Sequence, residues 1–134
     1  MRLLAIILAV FMFFAPLSAC GGDPAVIYGD SEIYSKRDID KAADEVMDKF
    51  ASMRGCKMYS LTYAGDDTCS RELDYCNSFA ADGEEFVQCI VFESVFRSPL
   101  RGGGAWESNE IYTWSWYLAR TEFGGWKLLT WGYA

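Results

Sequence analysis

The apolar positions along the chain change period several times, and each change predicts an element. Leu3 to Phe14 is unbroken apolar sequence, shorter than the ~20 residues that a membrane-spanning helix needs. Cys20 to Tyr34 keeps no period and is rich in glycine, aspartate and serine, so residues 20–34 read as a flexible tether. From Ser35 the spacing becomes three and four. Ile39, Ala43, Val46, Met47, Phe50 and Met53 share one side, while Asp40, Lys41, Asp44, Glu45 and Asp48 occupy the other. This predicts an amphipathic helix, opened by Ser35 with Asp38 three residues on as a capping box and closed by Gly55.

Beyond Gly55 the period falls to two. Lys57 to Tyr63 predicts a strand with Tyr59, Leu61 and Tyr63 on one face, followed by a turn at Ala64-Gly65-Asp66-Asp67. Ser70 to Phe79 predicts a short helix, and Glu85 to Phe96, rich in Val, Ile and Phe, a long strand. Ser98 to Asn109, with Pro99 and Gly102 to Gly104, reads as a loop. Glu110 to Thr121 alternates again, with Tyr112, Trp114, Trp116 and Leu118 on one face and Ile111, Thr113, Ser115, Tyr117 and Ala119 on the other. A hairpin turn at Phe123 to Trp126 leads into a closing strand that ends at Tyr133. The order predicts one α+β domain over residues 35–134, a long N-terminal helix on a curved antiparallel sheet. Trp114 and Trp116, on the bulkier face, are expected to meet the Ile39, Val46 and Phe50 stripe or to line a pocket beside it, and Trp106 in the loop to be exposed.

Composition narrows the function. With 12 Lys and Arg against 19 Asp and Glu, the chain carries a formal charge of -7, which argues against nucleic acid as a partner. Histidine is absent. That removes Ser-His-Asp and Cys-His nucleophilic machinery and the commonest zinc or copper ligand, and no cofactor is expected. The Arg101-Gly102-Gly103-Gly104 cluster lacks the Gly-Lys-Ser/Thr of a phosphate-gripping loop. Asp66-Asp67 and Glu84-Glu85 lack the spaced oxygen ligands of a calcium loop and read as solvated turns.

The N-terminus carries an address. After Met1-Arg2 and the apolar run come Leu17-Ser18-Ala19-Cys20 and then Gly21-Gly22, which resembles the bacterial lipoprotein signal, the lipobox. The resemblance implies that residues 1–19 are a signal peptide and that Cys20 is acylated and becomes the first residue. The protein would then be tied to a membrane on the extracytoplasmic side of a bacterial envelope, with two or three acyl chains at ~0.8 kcal/mol per buried methylene. Cys56, Cys69, Cys76 and Cys89 remain, an even number in an oxidising context, and are expected to form two disulfides of unspecified pairing. Were Cys69 and Cys76 on one helix, seven steps would separate them by ~10.5 Å, which favours pairing each with Cys56 or Cys89.

The helix ending in Gly55-Cys56, the strand ending in Thr62-Tyr63, and the tail with Trp114-Ser115-Trp116, Gly124-Gly125-Trp126-Lys127 and Thr130-Trp131-Gly132-Tyr133 together resemble a group of small exported bacterial domains with a nuclear-transport-factor-2-like, or cystatin-like, fold. The resemblance implies a cone-shaped α+β domain and transfers no catalytic residue. Glu93 interrupts an apolar strand and could point into a concave pocket beside Trp114 and Trp116, or lie on the solvent side. The expected function is therefore non-catalytic binding of a protein or small molecule at the membrane. A small pocket enzyme using a carboxylate and tyrosines, or a structural envelope component, are the alternatives.

Overall fold

Eight elements follow one another in the computed structural model, which describes residues 24–102 and 106–133: β1 (Ala25–Ile27), α1 (Lys36–Ala51), β2 (Lys57–Tyr63), α2 (Asp66–Arg71), α3 (Leu73–Asn77), β3 (Gln88–Arg97), β4 (Ile111–Arg120) and β5 (Lys127–Gly132). The signal segment, Cys20, and Gly103 and Gly104 of the glycine cluster lie outside the described residues. The strands form one five-stranded sheet in the order β1-β2-β3-β4-β5. The protein is α+β, as its pattern predicts. The sheet is mixed and not wholly antiparallel, because β1 runs parallel to β2 with Ala25 opposite Ser60 and Ile27 opposite Thr62.

β1 also corrects the reading of 20–34 as tether throughout. Val26 is half-buried against the core, and Tyr34 is buried with its hydroxyl donating to the Cys89 carbonyl at 2.8 Å. A three-residue strand is too short to show a period. Its partner lies 35 positions away, so nothing local to the sequence announces it.

The middle of the sheet sets the sidedness of everything else. β3 and β4 pair in unbroken antiparallel register from Gln88 opposite Arg120 to Arg97 opposite Ile111. Directly opposed residues share a face. Ile90, Phe92, Ser94 and Phe96 therefore lie with Leu118, Trp116, Trp114 and Tyr112, and this is the face that α1 covers: Phe50 meets Phe96 edge-on at 5.4 Å, and Ile39, Ala42, Ala43 and Val46 are buried. Ser35 caps α1 by accepting from the Asp38 N–H at 3.1 Å, while the Asp38 carboxylate accepts from the Ser35 N–H. The other face carries Cys89, Val91, Glu93, Ser115, Tyr117 and Ala119. There α3 packs Cys76 against Cys89 and Tyr75 edge-on against Tyr117, and α2 places the Cys69 sulfur within 3.3 Å of the Val91 N–H.

Local chemistry moves three boundaries. In β2 the pairing shifts between Met58 and Ser60, so Met58 opposes Phe96 and is buried while Tyr59 turns outward. This replaces the expected Tyr59, Leu61, Tyr63 face with Met58, Leu61 and Tyr63. The helix expected from Ser70 begins four residues earlier, where Gly65 adopts φ +103° and Asp66 and Asp67 supply negative charge to the first turn. It breaks at Glu72, so Cys69 and Cys76 sit on separate helices. β3 starts at Gln88 and not Glu85, because Asn77 occupies the edge that Phe86 would offer, with its Oδ1 accepting from Phe86 N–H and its Nδ2 donating to Phe86 C=O.

The segment after β1 is held to α2 by one carboxylate. Asp66 accepts from the Ser31 hydroxyl at 2.6 Å, the Tyr63 hydroxyl at 2.6 Å and the Glu32 N–H at 2.8 Å. The Ser31 bond first, then that of Tyr63, hold its carboxyl below the usual carboxylate range. A depressed carboxyl contributes stability above its unfolded value of about 4, and that contribution is lost as the pH falls through the lower folded value. The thermal midpoint of the protein is therefore expected to fall as the pH drops below about 5. Asp66→Asn should start lower at pH 7 and lose less over that range. An unchanged acid limb in the variant, followed by circular dichroism, would show that Asp66 carries none of it.

Candidate functional site at the aromatic end and the buried thiols

Trp116 lies at the centre of the α1-facing side with none of its surface exposed. Its indole N–H donates to the Ser94 hydroxyl at 2.8 Å, and that hydroxyl donates to the Trp114 carbonyl at 3.3 Å. Ser94 is fully buried, and its signal was visible as the one polar residue in the Ile90, Phe92, Ser94, Phe96 series. Trp114 shares the face but is only half-buried, and its indole nitrogen has no hydrogen-bond partner. It touches Trp106 at 5.1 Å, Phe96 at 5.1 Å and the exposed Tyr133 at 6.3 Å between ring centroids. The sequence expectation for Trp106 is corrected here. Trp106 is half-buried against Phe96, Tyr112 and Trp114, because the loop folds back over the end of the sheet through Ser98, whose hydroxyl donates to the Glu107 carbonyl at 2.6 Å.

Glu93 is not part of this cluster. Its place in β3 is odd where Phe92 and Ser94 are even, so it projects from the opposite face, exposed, between Thr62 and Ser115. The pocket that would have joined Glu93 to Trp114 and Trp116 cannot exist on one side of a pleated sheet. A cleft of about 640 Å³ does lie between β1 and α1, lined by Val26, Asp40, Ala43, Asp44, Met47 and Asp48. Tyr28 donates its hydroxyl to Asp40 at its margin. Asp66 spends its carboxylate on Ser31, Tyr63 and Glu32, and Glu84 accepts from the Ala81 N–H at 3.2 Å. Among the described residues no group of three or more His, Cys, Asp or Glu side chains could hold a metal ion.

The cysteines depart from two disulfides. All four are thiols in this structure. Cys76 and Cys89 have their sulfurs in contact at 2.9 Å, and Cys69 lies buried beside them. Cys56 is elsewhere. It precedes Lys57, which opposes Arg97, whereas Cys69 contacts Val91, six residues back along β3. At ~3.3 Å per residue that separation is about 20 Å, far beyond the ~7 Å between α-carbons that a bridge tolerates. Cys56 thus has no partner among the other three, and at most one bridge can form. The hydrogen bond between the two sulfurs raises Cys89 and lowers Cys76, so Cys76 is the more readily ionised of the pair, while burial pushes Cys69 and Cys56 up.

The aromatic end offers ring faces and the exposed Tyr133, which suit contact with an amphipathic surface or ligand. No protein-family model, curated protein or solved structure matches the chain.

Two outcomes are expected. Trp116→Phe removes the indole N–H that donates to Ser94, leaving that buried hydroxyl only its bond to the Trp114 carbonyl, and should cost about 1–3 kcal/mol in urea unfolding, whereas Trp114→Phe, which breaks no hydrogen bond, should cost less; the reverse order would place the polar link elsewhere. After treatment with a small-molecule disulfide, peptide mapping should find Cys76 joined to Cys89 and Cys56 free or carrying only the reagent's thiol, and a Cys56 bridged to Cys69, Cys76 or Cys89 would contradict the register of β2.

Proposed function

We propose that the chain is a lipid-anchored bacterial envelope protein whose domain works by binding and not by catalysis. The observation that carries the reading is Leu17-Ser18-Ala19-Cys20, placed directly behind an apolar run too short to span a bilayer. Cys20 receives the acyl chains, and the domain sits on the extracytoplasmic side within reach of the membrane. Among the described residues no helix is long and apolar enough to cross a membrane.

Two features support binding over catalysis. Trp116, Phe92, Phe96 and Leu118 fill the α1-facing side of the sheet with no exposed surface of their own, and the carboxylate that a pocket enzyme would use, Glu93, projects from the other side. The cystatin-like, nuclear-transport-factor-2-like reading of the domain belongs to the same proposal. It is supported by one helix laid across the β3–β4–β5 meander. The sheet also carries the parallel β1, and α2 and α3 pack on its second face.

Cys20→Ser is expected to move the protein from the membrane fraction to the soluble fraction, or to leave an unprocessed precursor, on fractionation of cells that express the full chain. A variant that stays membrane-bound with its signal removed would refute the anchor.

A further inference from the structure

Charge is unevenly distributed along the strand direction, which the net value of -7 conceals. One end of the sheet is marked by the row Lys57, Arg97, Ile111, where β2 begins, β3 ends and β4 begins. α1 ends there as well. Gly55, at φ +81°, packs so closely on Pro99 that an added Cβ would lie 3.0 Å from its ring. Lys57 and Arg97 both lie over Tyr59. With Arg54 before Gly55 and Arg101 beyond Pro99, four cations gather at this end against Glu107 and Glu110. The far end, where α2 and α3 cross the sheet, carries Asp66, Asp67, Glu72, Asp74, Glu84 and Glu85 against Arg71, Arg120 and Lys127.

Apolar groups stand among the cations. Leu100 is 77% exposed and Tyr133 75%, with Ile111 and Tyr59 also on the surface and the half-buried Trp106 and Trp114 behind them. The chain enters from this side, since β1 is parallel to β2 and β2 starts here. Cys20 precedes Ala25 by five residues, a reach of at most about 18 Å.

We propose that this basic, aromatic end of the sheet docks on an anionic lipid surface, the same surface to which Cys20 ties the chain. The inference rests on the lipid-anchor reading above and adds an orientation to it. Aromatic rings with one polar edge settle at the headgroup level of a bilayer. Each cation near an anionic leaflet strengthens partitioning about fivefold. The short tether holds the patch at high effective concentration over the lipid, so a contact too weak to retain a free protein is occupied. The acidic far end is repelled by the same surface, which leaves α2 and α3 pointing away from it.

The test uses the lipidated full-length protein reconstituted into vesicles of phosphatidylcholine with or without phosphatidylglycerol, some carrying brominated acyl chains that quench tryptophan on contact. Flotation reads the anchor and quenching reads the docking. Quenching is expected with phosphatidylglycerol and should fall severalfold in high salt or in the triple variant Arg54→Glu/Lys57→Glu/Arg101→Glu, while all samples still float. Protein that floats with unquenched tryptophans overturns the docking, leaves the anchor standing, and frees this end for a protein partner. Equal quenching in the triple variant also overturns it, because the cations would then contribute nothing. Protein that does not float overturns the anchor and the docking together.

Discussion

The ten-residue register between β3 and β4 is the constraint on which the other features depend. Because it runs without a bulge from Gln88 to Arg97, the parity of a residue number in β3 decides its side of the molecule. Even positions meet Trp116, Leu118 and α1; odd positions meet the thiols, Tyr117 and solvent. A slip of one residue would exchange these sets and put Glu93 under α1 and Phe92 in water. The Trp116 to Ser94 hydrogen bond, buried in otherwise apolar surroundings, penalises that slip beyond the burial of the rings, since an unpartnered indole or hydroxyl there costs about 1–3 kcal/mol.

Elements whose signal is local were legible in the sequence. The capping box at Ser35 and the glycine at Gly55 bracket α1, and the alternation of Glu110 to Thr121 corresponds to β4 at Ile111–Arg120 with Trp116 and Leu118 inward. Elements that rest on distant partners were not legible. β1 exists because β2 offers it an edge, Tyr59 turns outward because of a bulge across from Phe96 and Val95, and α2 starts at Asp66 because Ser31, Glu32 and Tyr63 converge on that carboxylate. The candidate site divides in the same way. Trp114 and Trp116 could be placed on one face from spacing alone, whereas the opposition of Glu93 to them required knowing which face was buried. Similarly, the pairing of four cysteines has no signature in their spacing, and the 2.9 Å contact of Cys76 with Cys89 depends on α3 folding back over β3.

The acidic composition and the cationic end are compatible because they describe different scales. A net negative chain keeps the body of the protein soluble and away from anionic surfaces. The four cations are brought to one pole only by the fold, from the turn after α1, β2, β3 and the loop after Pro99. In the linear sequence they are scattered among carboxylates and carry no sign of the grouping.

The order in which the chain supplies its strands has a consequence for how it is made. The most extensive pairing, β3 with β4 and then β5, is assembled from residues 88–132, the last third of the chain, whereas β1 pairs with a strand that follows it by about 35 positions. A polypeptide threaded through a membrane pore with its N-terminus leading would present β1 and α1 first, and α1 alone is an amphipathic segment without the sheet on which to bury Val46 and Phe50. Stable structure must wait for the final strands, and contacts that close over long stretches of chain form late. Under the proposed export, the same topology would keep the chain unfolded, and so able to pass a narrow translocon, until almost all of it had crossed.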